Sequence, residues 1–274
     1  MGKQNKWLII TMIVSICGCA PQPYKVTNKV YRKQAKALSG VIRQEPGNIP
    51  VNAVPATDWW AGTTNFNLRK PNLVIIHHTA QNSCEQTLRT FTLERTQVSA
   101  HYVICRNGTI HHMLNDYLRA WHGGVSKWGS ITDINSSSIG IELDNNGSEP
   151  FDSMQIRSLI VLLDTLKHRY NIPADNFIGH GDIAPKRKVD PSVLFPWEQL
   201  AQKGFGIWYG DTTNIQVPEP FSVPMALRLV GYDVKDTTEA VQAFKRHFIP
   251  ADSLSTKGQL DGPGRKILYS IINR

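Results

Sequence analysis

From residue 68 onward the apolar positions fall into short runs divided by polar turns, and the period of each run predicts an element. LVII (73–76) is continuously apolar and stops at His77 and His78, the pattern of a strand buried on both faces. SIGIEL (138–143) reads the same way. HYVIC (101–105) and TIHHM (109–113) flank Arg106, Asn107 and Gly108, which predicts a hairpin closed by an Asn-Gly turn. Ile156, Leu159, Ile160, Leu163, Leu166 and Tyr170 recur at helical spacing. A helix should therefore start near Asp152 or Ser153 and stop before Asn171 and Pro173. Ser83 and Gln86 form a candidate capping box for a helix running to about Thr96. NFIG (176–179) is a short strand that delivers His180 to its end. PWEQL (196–200) predicts a last short helix with Pro196 in its first turn. Together these elements predict a compact α/β domain over 68–210.

The flanks differ. Residues 19–67 are polar, contain several Pro and Gly and show no sustained period. They predict a tether and a loop that packs on the domain through Trp59 and Trp60. Beyond Val217 the composition shifts through VPEP into three short amphipathic segments, 223–230, 238–247 and 264–272. An all-α unit over 217–274 is too small for a large core of its own, so it should dock on the α/β domain or form a compact helical module. At the other end Lys3 and Lys6 precede about a dozen mostly apolar residues, closed by Gly18, Cys19 and Ala20. That is a secretory leader over 1–18, too short to span a bilayer.

Composition narrows the partners. With 41% apolar and 19% charged residues, the 274-residue chain can bury a sizeable core. A formal charge of +8 predicts an anionic environment or partner, or else only a mildly basic surface. No basic run is interleaved with aromatics, which sets nucleic acid aside. Cys84 and Cys105 remain in the folded region and can pair in an oxidising compartment. A buried free thiol at Cys105, inside YVIC, is an equal alternative, and no CxxC spacing supports a cysteine zinc site.

The chain has nine histidines, so most cannot be ligands and position must decide. His77 and His180 both sit where predicted strands run out, rigid places from which side chains converge. Asp190 follows His180 by ten residues, within reach of a returning loop. Two histidines and a carboxylate form the usual catalytic zinc set, but two ordinary histidines and a surface aspartate fit the same spacing. Glu142, between Ile141 and Leu143 in a buried-type strand, needs a reason to be there. No GxSxG or Cys/His signature offers a side-chain nucleophile.

IIHHTA, SAHYVI, RNGTI, AWHGG, SSIGIEL and GHGDIAPKRKVDP, in that order, resemble one known family. It is the zinc-dependent N-acetylmuramoyl-L-alanine amidases of the amidase-2 and peptidoglycan-recognition superfamily. The resemblance covers about residues 68–205, with Ser192 standing where relatives commonly have glycine. It implies a central mixed β-sheet flanked by helices, and one Zn2+ held by His77, His180 and Asp190. It also implies Glu142 as catalytic base and Lys188 as the cation that steadies a developing oxyanion. His122 is expected to face substrate, with Trp121, Asn145 and Arg187 as further pocket candidates and His78 structural or pocket-lining. His101, His111 and His112 are expected to carry no chemistry, and His168 and His247 to lie on helix surfaces. The implied reaction is hydrolysis of the amide between N-acetylmuramic acid and L-alanine in peptidoglycan or muropeptides. Two rivals are a non-catalytic wall-binding lipoprotein of the same fold and a peptidase cutting within the stem peptide.

Two further resemblances concern the flanks. ICGC resembles the bacterial lipobox, which would make Cys19 the lipidated first residue of the mature chain. With Ala20 after it, the implied location is the periplasmic face of a Gram-negative outer membrane; plain cleavage of the leader would leave a soluble periplasmic protein instead. LRLVGYDV, AVQAFKRHF and QLDGPGRKIL resemble the three-helix peptidoglycan-binding domain, with departures at Lys245 and Pro263. A monomer with no nucleic-acid partner is expected.

Overall fold

Leu73, Val74, Ile75 and Ile76 are almost solvent-free because their strand lies inside a sheet packed on both faces. This is seen in a computed structural model, which describes residues 22–44, 63–68, 70–252 and 257–274. The strands are β1 (Leu73–His78), β2 (Tyr102–Ile104), β3 (Ile110–His112), β4 (Ser138–Leu143) and β5 (Phe177–Gly179). Their order is β3-β2-β4-β1-β5. β2, β4, β1 and β5 run parallel, while β3 returns antiparallel to β2 across the expected Asn-Gly turn, where Gly108 has φ +83°. The sheet is therefore mixed, as the sequence implies.

Alternation divides the two faces. Val74 and Ile76 of β1, with Ile139, Ile141 and Leu143 of β4, pack against helix α4 (Ser153–Tyr170) through Ile156, Leu159, Leu163 and Leu166. α4 starts where Asp152 accepts from the amide of Met154 and stops at Asn171 in the left-handed conformation, matching its predicted bounds. On the opposite face, Leu73 and Ile75 pack with Ile134 of α3 (Ile134–Ser137), Ile178, and Ile183 of α5 (His180–Ile183). His77 belongs to that second face.

The helix expected to reach Thr96 is shorter. α2 (Cys84–Phe91) is capped by Ser83, which accepts from the amide of Gln86, while the Gln86 side chain accepts from Asn82. Leu93 is extended and Thr96 bonds back to the carbonyls of Thr90 and Leu93, so the chain turns instead of continuing the helix. Cys84 and Cys105 form a disulfide, closing the alternative of a free Cys105 thiol.

α6 (Trp197–Gln202) begins at Pro196. The C-terminal helices are α7 (Val223–Val230), α8 (Thr237–Phe248) and α9 (Gly262–Ile272). They enclose Leu227, Val241, Phe244, Phe248 and Leu268, and Trp128 and Trp208 of the α/β domain pack against this core. Docking centres on the buried Asp182. One carboxylate oxygen accepts from the Tyr232 hydroxyl at 2.8 Å; the other accepts from His247 Nδ1 at 2.8 Å and from the amide of Gly179 at 2.9 Å. His247, expected on a helix surface, is 5% exposed and stacks on Trp197.

The first 65 residues form a separate unit. Residues 25–42, read as part of an aperiodic tether, form helix α1 (Lys25–Ile42). The apolar positions there are mostly Val and Ala, too weak to stand out as a stripe. The leader, Cys19, Trp59 and Trp60 lie outside the described residues.

Tyr232→Phe removes one donor from a buried carboxylate and nothing else. It should lower stability by about 1.5–3 kcal/mol, read as a lower urea midpoint at unchanged slope.

Candidate metal centre

β1 and β4 are parallel and in register His77↔Glu142, so both side chains project from the same face at the strand ends. β5 pairs with β1 as far as Ile76↔Gly179, and the next residue, His180, opens α5 beside His77. The chain then loops out and back, pinned where the Gly181 amide donates to the Asp190 carbonyl at 2.6 Å. Residues from separate parts of the chain thus meet at the C-terminal ends of the parallel strands.

The meeting is tight. His77 Nδ1 and His180 Nδ1 lie 2.9 Å apart, and Asp190 Oδ2 lies 3.1 Å from the first and 3.0 Å from the second. Protons cannot satisfy this triangle: if both rings donate to the carboxylate, their own N–H groups oppose each other. A single cation serves all three atoms. Tetrahedral zinc, with bonds of about 2.0–2.1 Å, sets its ligand atoms roughly 3.3 Å apart, close to what is seen. Protonation is also suitable. Burial, then the charge of His180, lowers His77 to about 4, leaving its ring neutral near pH 7. Burial alone would raise Asp190, but the two histidine nitrogens that face its Oδ2, His180 first, hold the carboxyl well below the usual range.

The rings are fixed from behind. His77 Nε2 lies 3.1 Å from His122 Nδ1, and His122 Nε2 lies 3.1 Å from Ser138 Oγ. Ser138 donates to the Ile134 carbonyl at 2.7 Å, so proton direction runs one way, from His77 through His122 to Ser138. His180 Nε2 donates to the Gly123 carbonyl at 3.2 Å. Ligand histidines are commonly oriented by such partners. Gly140 makes room for this chain, because a Cβ there would meet His122 Cγ at 2.5 Å. Ser138 and Gly140 were not legible as site residues; a glycine inside a buried strand was the one available signal.

Placement alters several expectations. His122 is 8% exposed with both ring nitrogens engaged, so it supports His77 and does not face substrate. Asn145 is buried and organises its own loop, donating to the carbonyls of Glu149 and Pro150 and accepting from Gly147. Arg187 latches the loop beneath it by donating to the carbonyls of Gly123 and Val125. His78 accepts from the Ser192 amide at 3.1 Å and so fixes the turn after Asp190. His101 is buried between the Leu118 carbonyl and the Gly140 amide and is not among the three converging ligand residues. Trp121 is exposed and remains open to a ligand.

Glu142 completes the cluster. Its Oε1 is 4.0 Å from His77 Nδ1, and its buried Oε2 has no hydrogen-bond partner among the described residues. Burial pushes this carboxyl up to about 8, the charge of Asp190 adds to the rise, and the half-buried Lys188 opposes it. A cation beside it would oppose the rise further. A second group, Cys84, Cys105 and His111, has metal-like spacing, but its sulfurs are joined to each other.

Comparison with known proteins agrees with this geometry. The N-acetylmuramoyl-L-alanine amidase family model, Amidase_2, matches residues 67–193. N-acetylmuramoyl-L-alanine amidase AmiD of Escherichia coli is 37% identical over 234 residues, covering 74% of this chain and 82% of that protein. The structure of the E. coli AmiD complex with anhydro-N-acetylmuramic acid-L-Ala-D-gamma-Glu-L-Lys superposes with a TM-score of 0.67 at 31% identity. It covers 77% of this chain and 92% of that one. AmpDh3 of Pseudomonas aeruginosa gives a TM-score of 0.68 at 27% identity, covering 80% of this chain and 98% of that one. With the converged histidines and carboxylates lying inside the matched region, the chain belongs to the N-acetylmuramoyl-L-alanine amidase family.

Proposed function

We propose that His77, His180 and Asp190 hold one zinc ion and that Glu142 and Lys188 carry the proton and charge work of the amidase reaction. The substrate bond is the amide joining N-acetylmuramic acid to L-alanine in peptidoglycan and its muropeptides. The observation that carries this reading is the triangle of ligand atoms, 2.9–3.1 Å on a side, with an unpartnered buried carboxylate beside it. The anhydro-muropeptide held by the E. coli relative supports the same substrate class.

When bound, zinc supplies Lewis acidity that polarises the amide carbonyl and acidifies water. Glu142 takes a proton from the attacking water and returns it to the nitrogen that departs with L-alanine. Burial raises its pKa and the charge of a bound cation would oppose that rise, which supports a carboxylate able both to take the proton and to give it back. Lys188 opposes the rise at Glu142 and lowers His77 and His78, which supports a role for its cation in stabilising negative charge growing on the carbonyl oxygen. His122 and Ser138 keep His77 in the tautomer that leaves Nδ1 free for the ion. Trp121, exposed and next in sequence to His122, offers an apolar face for the sugar or peptide.

The location follows from the leader. Residues 1–18 direct export and Cys19 receives lipid, so the enzyme works on the wall from the inner face of the outer membrane. The ICGC run and Ala20 support this reading, and acyl-chain labelling lost in Cys19→Ala tests it.

The amidase reading is tested on a defined muropeptide mixture. Mass spectrometry should find intact stem peptides released, the metal content should be about one zinc per chain, and a chelator should stop the reaction. Cleavage within the stem peptide, or a metal-free active protein, would overturn it. Glu142→Gln should lower kcat by about 10²–10⁴-fold while zinc content stays unchanged. Lys188→Ala should cost about 10²–10³-fold in kcat. Ser138→Ala should weaken zinc binding by about 10–100-fold in competition with a chelating dye, with the fold intact by circular dichroism.

A further inference from the structure

Helix α1 has a chemistry that the amidase reaction does not use. Its segment, residues 22–44, carries Lys25, Lys29, Arg32, Lys33, Lys36 and, at the C-cap, Arg43, with no Asp or Glu. Six positive charges in so short a stretch supply much of the chain's formal +8. At about 100° per residue, these six side chains project into one arc of roughly 100°. Val26, Val30, Leu38, Val41 and Ile42 project from the other side, and each is exposed, between 47% and 76%. No residue of the helix is buried.

We propose that α1 lies flat on an anionic phospholipid surface, its apolar side sunk among the acyl chains and its cations against the headgroups. A helix with a wide apolar face, a strongly basic opposite face and modest overall hydrophobicity is the form that settles in the membrane interface. Spanning the bilayer is excluded by the six cations, and no helix among the described residues is long and apolar enough to cross. A second copy of the helix fits poorly. Parallel pairing needs a narrow seam of large residues flanked by opposite charges, whereas this face is broad, built mostly of Val, and bordered only by cations. Charge complementarity therefore favours lipid headgroups over another α1. The distance also suits: only five residues lie between Cys19 and Lys25, a reach of about 20 Å at full extension.

The test uses the full chain with Cys19→Ser, so that no lipid is attached, and does not depend on the amidase reading. Binding is measured by sedimentation with vesicles of phosphatidylethanolamine and phosphatidylglycerol, and with vesicles of phosphatidylcholine alone. Lys3 and Lys6 give the retained leader an anionic preference of its own, so the share of α1 is the part of the preference that reversing the α1 charges removes. Anionic vesicles should be preferred at least about tenfold, because each Lys or Arg near such a surface adds to the attraction. That preference should fall as salt rises from 50 to 500 mM. In the same background, Lys29→Glu, Arg32→Glu, Lys33→Glu and Lys36→Glu together should remove most of the preference. An unchanged thermal midpoint shows that the reversed protein is folded. Equal binding to both vesicle types, or a charge reversal without effect, overturns the proposal. So does a concentration-dependent dimer that the reversal dissolves, since α1 would then be covered by its own copy.

Discussion

Two imidazole nitrogens and a carboxylate oxygen, all electron-rich, are held within about 3 Å of one another in a buried corner. Left to themselves they would spread apart or take up protons. Much of the surrounding structure prevents both. The β1–β4 register sets His77 opposite Glu142, β5 hands His180 to the same strand ends, and the bond from Gly181 to Asp190 returns the loop. Behind them, the one-way run from His77 through His122 and Ser138 to the Ile134 carbonyl decides which nitrogen carries a proton. Preorganisation of this kind lets one ion replace three separate compromises.

The same corner is braced from outside the α/β domain. Asp182, two residues past His180, is gripped by Tyr232 and His247 of the C-terminal helices and by the Gly179 amide. Burial and the Asp182 charge keep the Tyr232 phenol well above its usual range, so it stays a donor. The small helix that starts at His180 is thus fixed at one end by strand pairing and along its body by a distant part of the chain.

What could be read from sequence was what burial writes into local period. β1, β4, α4 and α7 matched because each buries one or both faces, and Asp152 and Asn171 mark the ends of α4 chemically. The converging His77, His180, Asp190 and Glu142 were legible through motifs, since strand ends are where chemistry collects. Long-range partners left no local mark. His122 and Ser138 are 16 residues apart, and His247 and Asp182 are 65 apart; nothing near either histidine announces the contact. Asn145 and Arg187 look like pocket residues on a polar loop, and only the loop's shape shows that their polar atoms are spent on backbone carbonyls. α1 was missed for the opposite reason: none of its residues is buried, and its apolar face is built from residues too mild to show as a stripe.

The change of composition near residue 217 suggests a detachable module, of the sort that is shuffled between wall enzymes. Asp182 argues otherwise. Cutting the chain there would leave a buried carboxylate with only a backbone donor, strip the stacked partner from Trp197, and bare Trp128 and Trp208. The catalytic part and the helical part share one folding unit. Exchange of the C-terminal helices for another segment is therefore blocked unless the replacement also brings a hydroxyl and an imidazole to the same carboxylate. The seam visible in the sequence is not a seam in the fold.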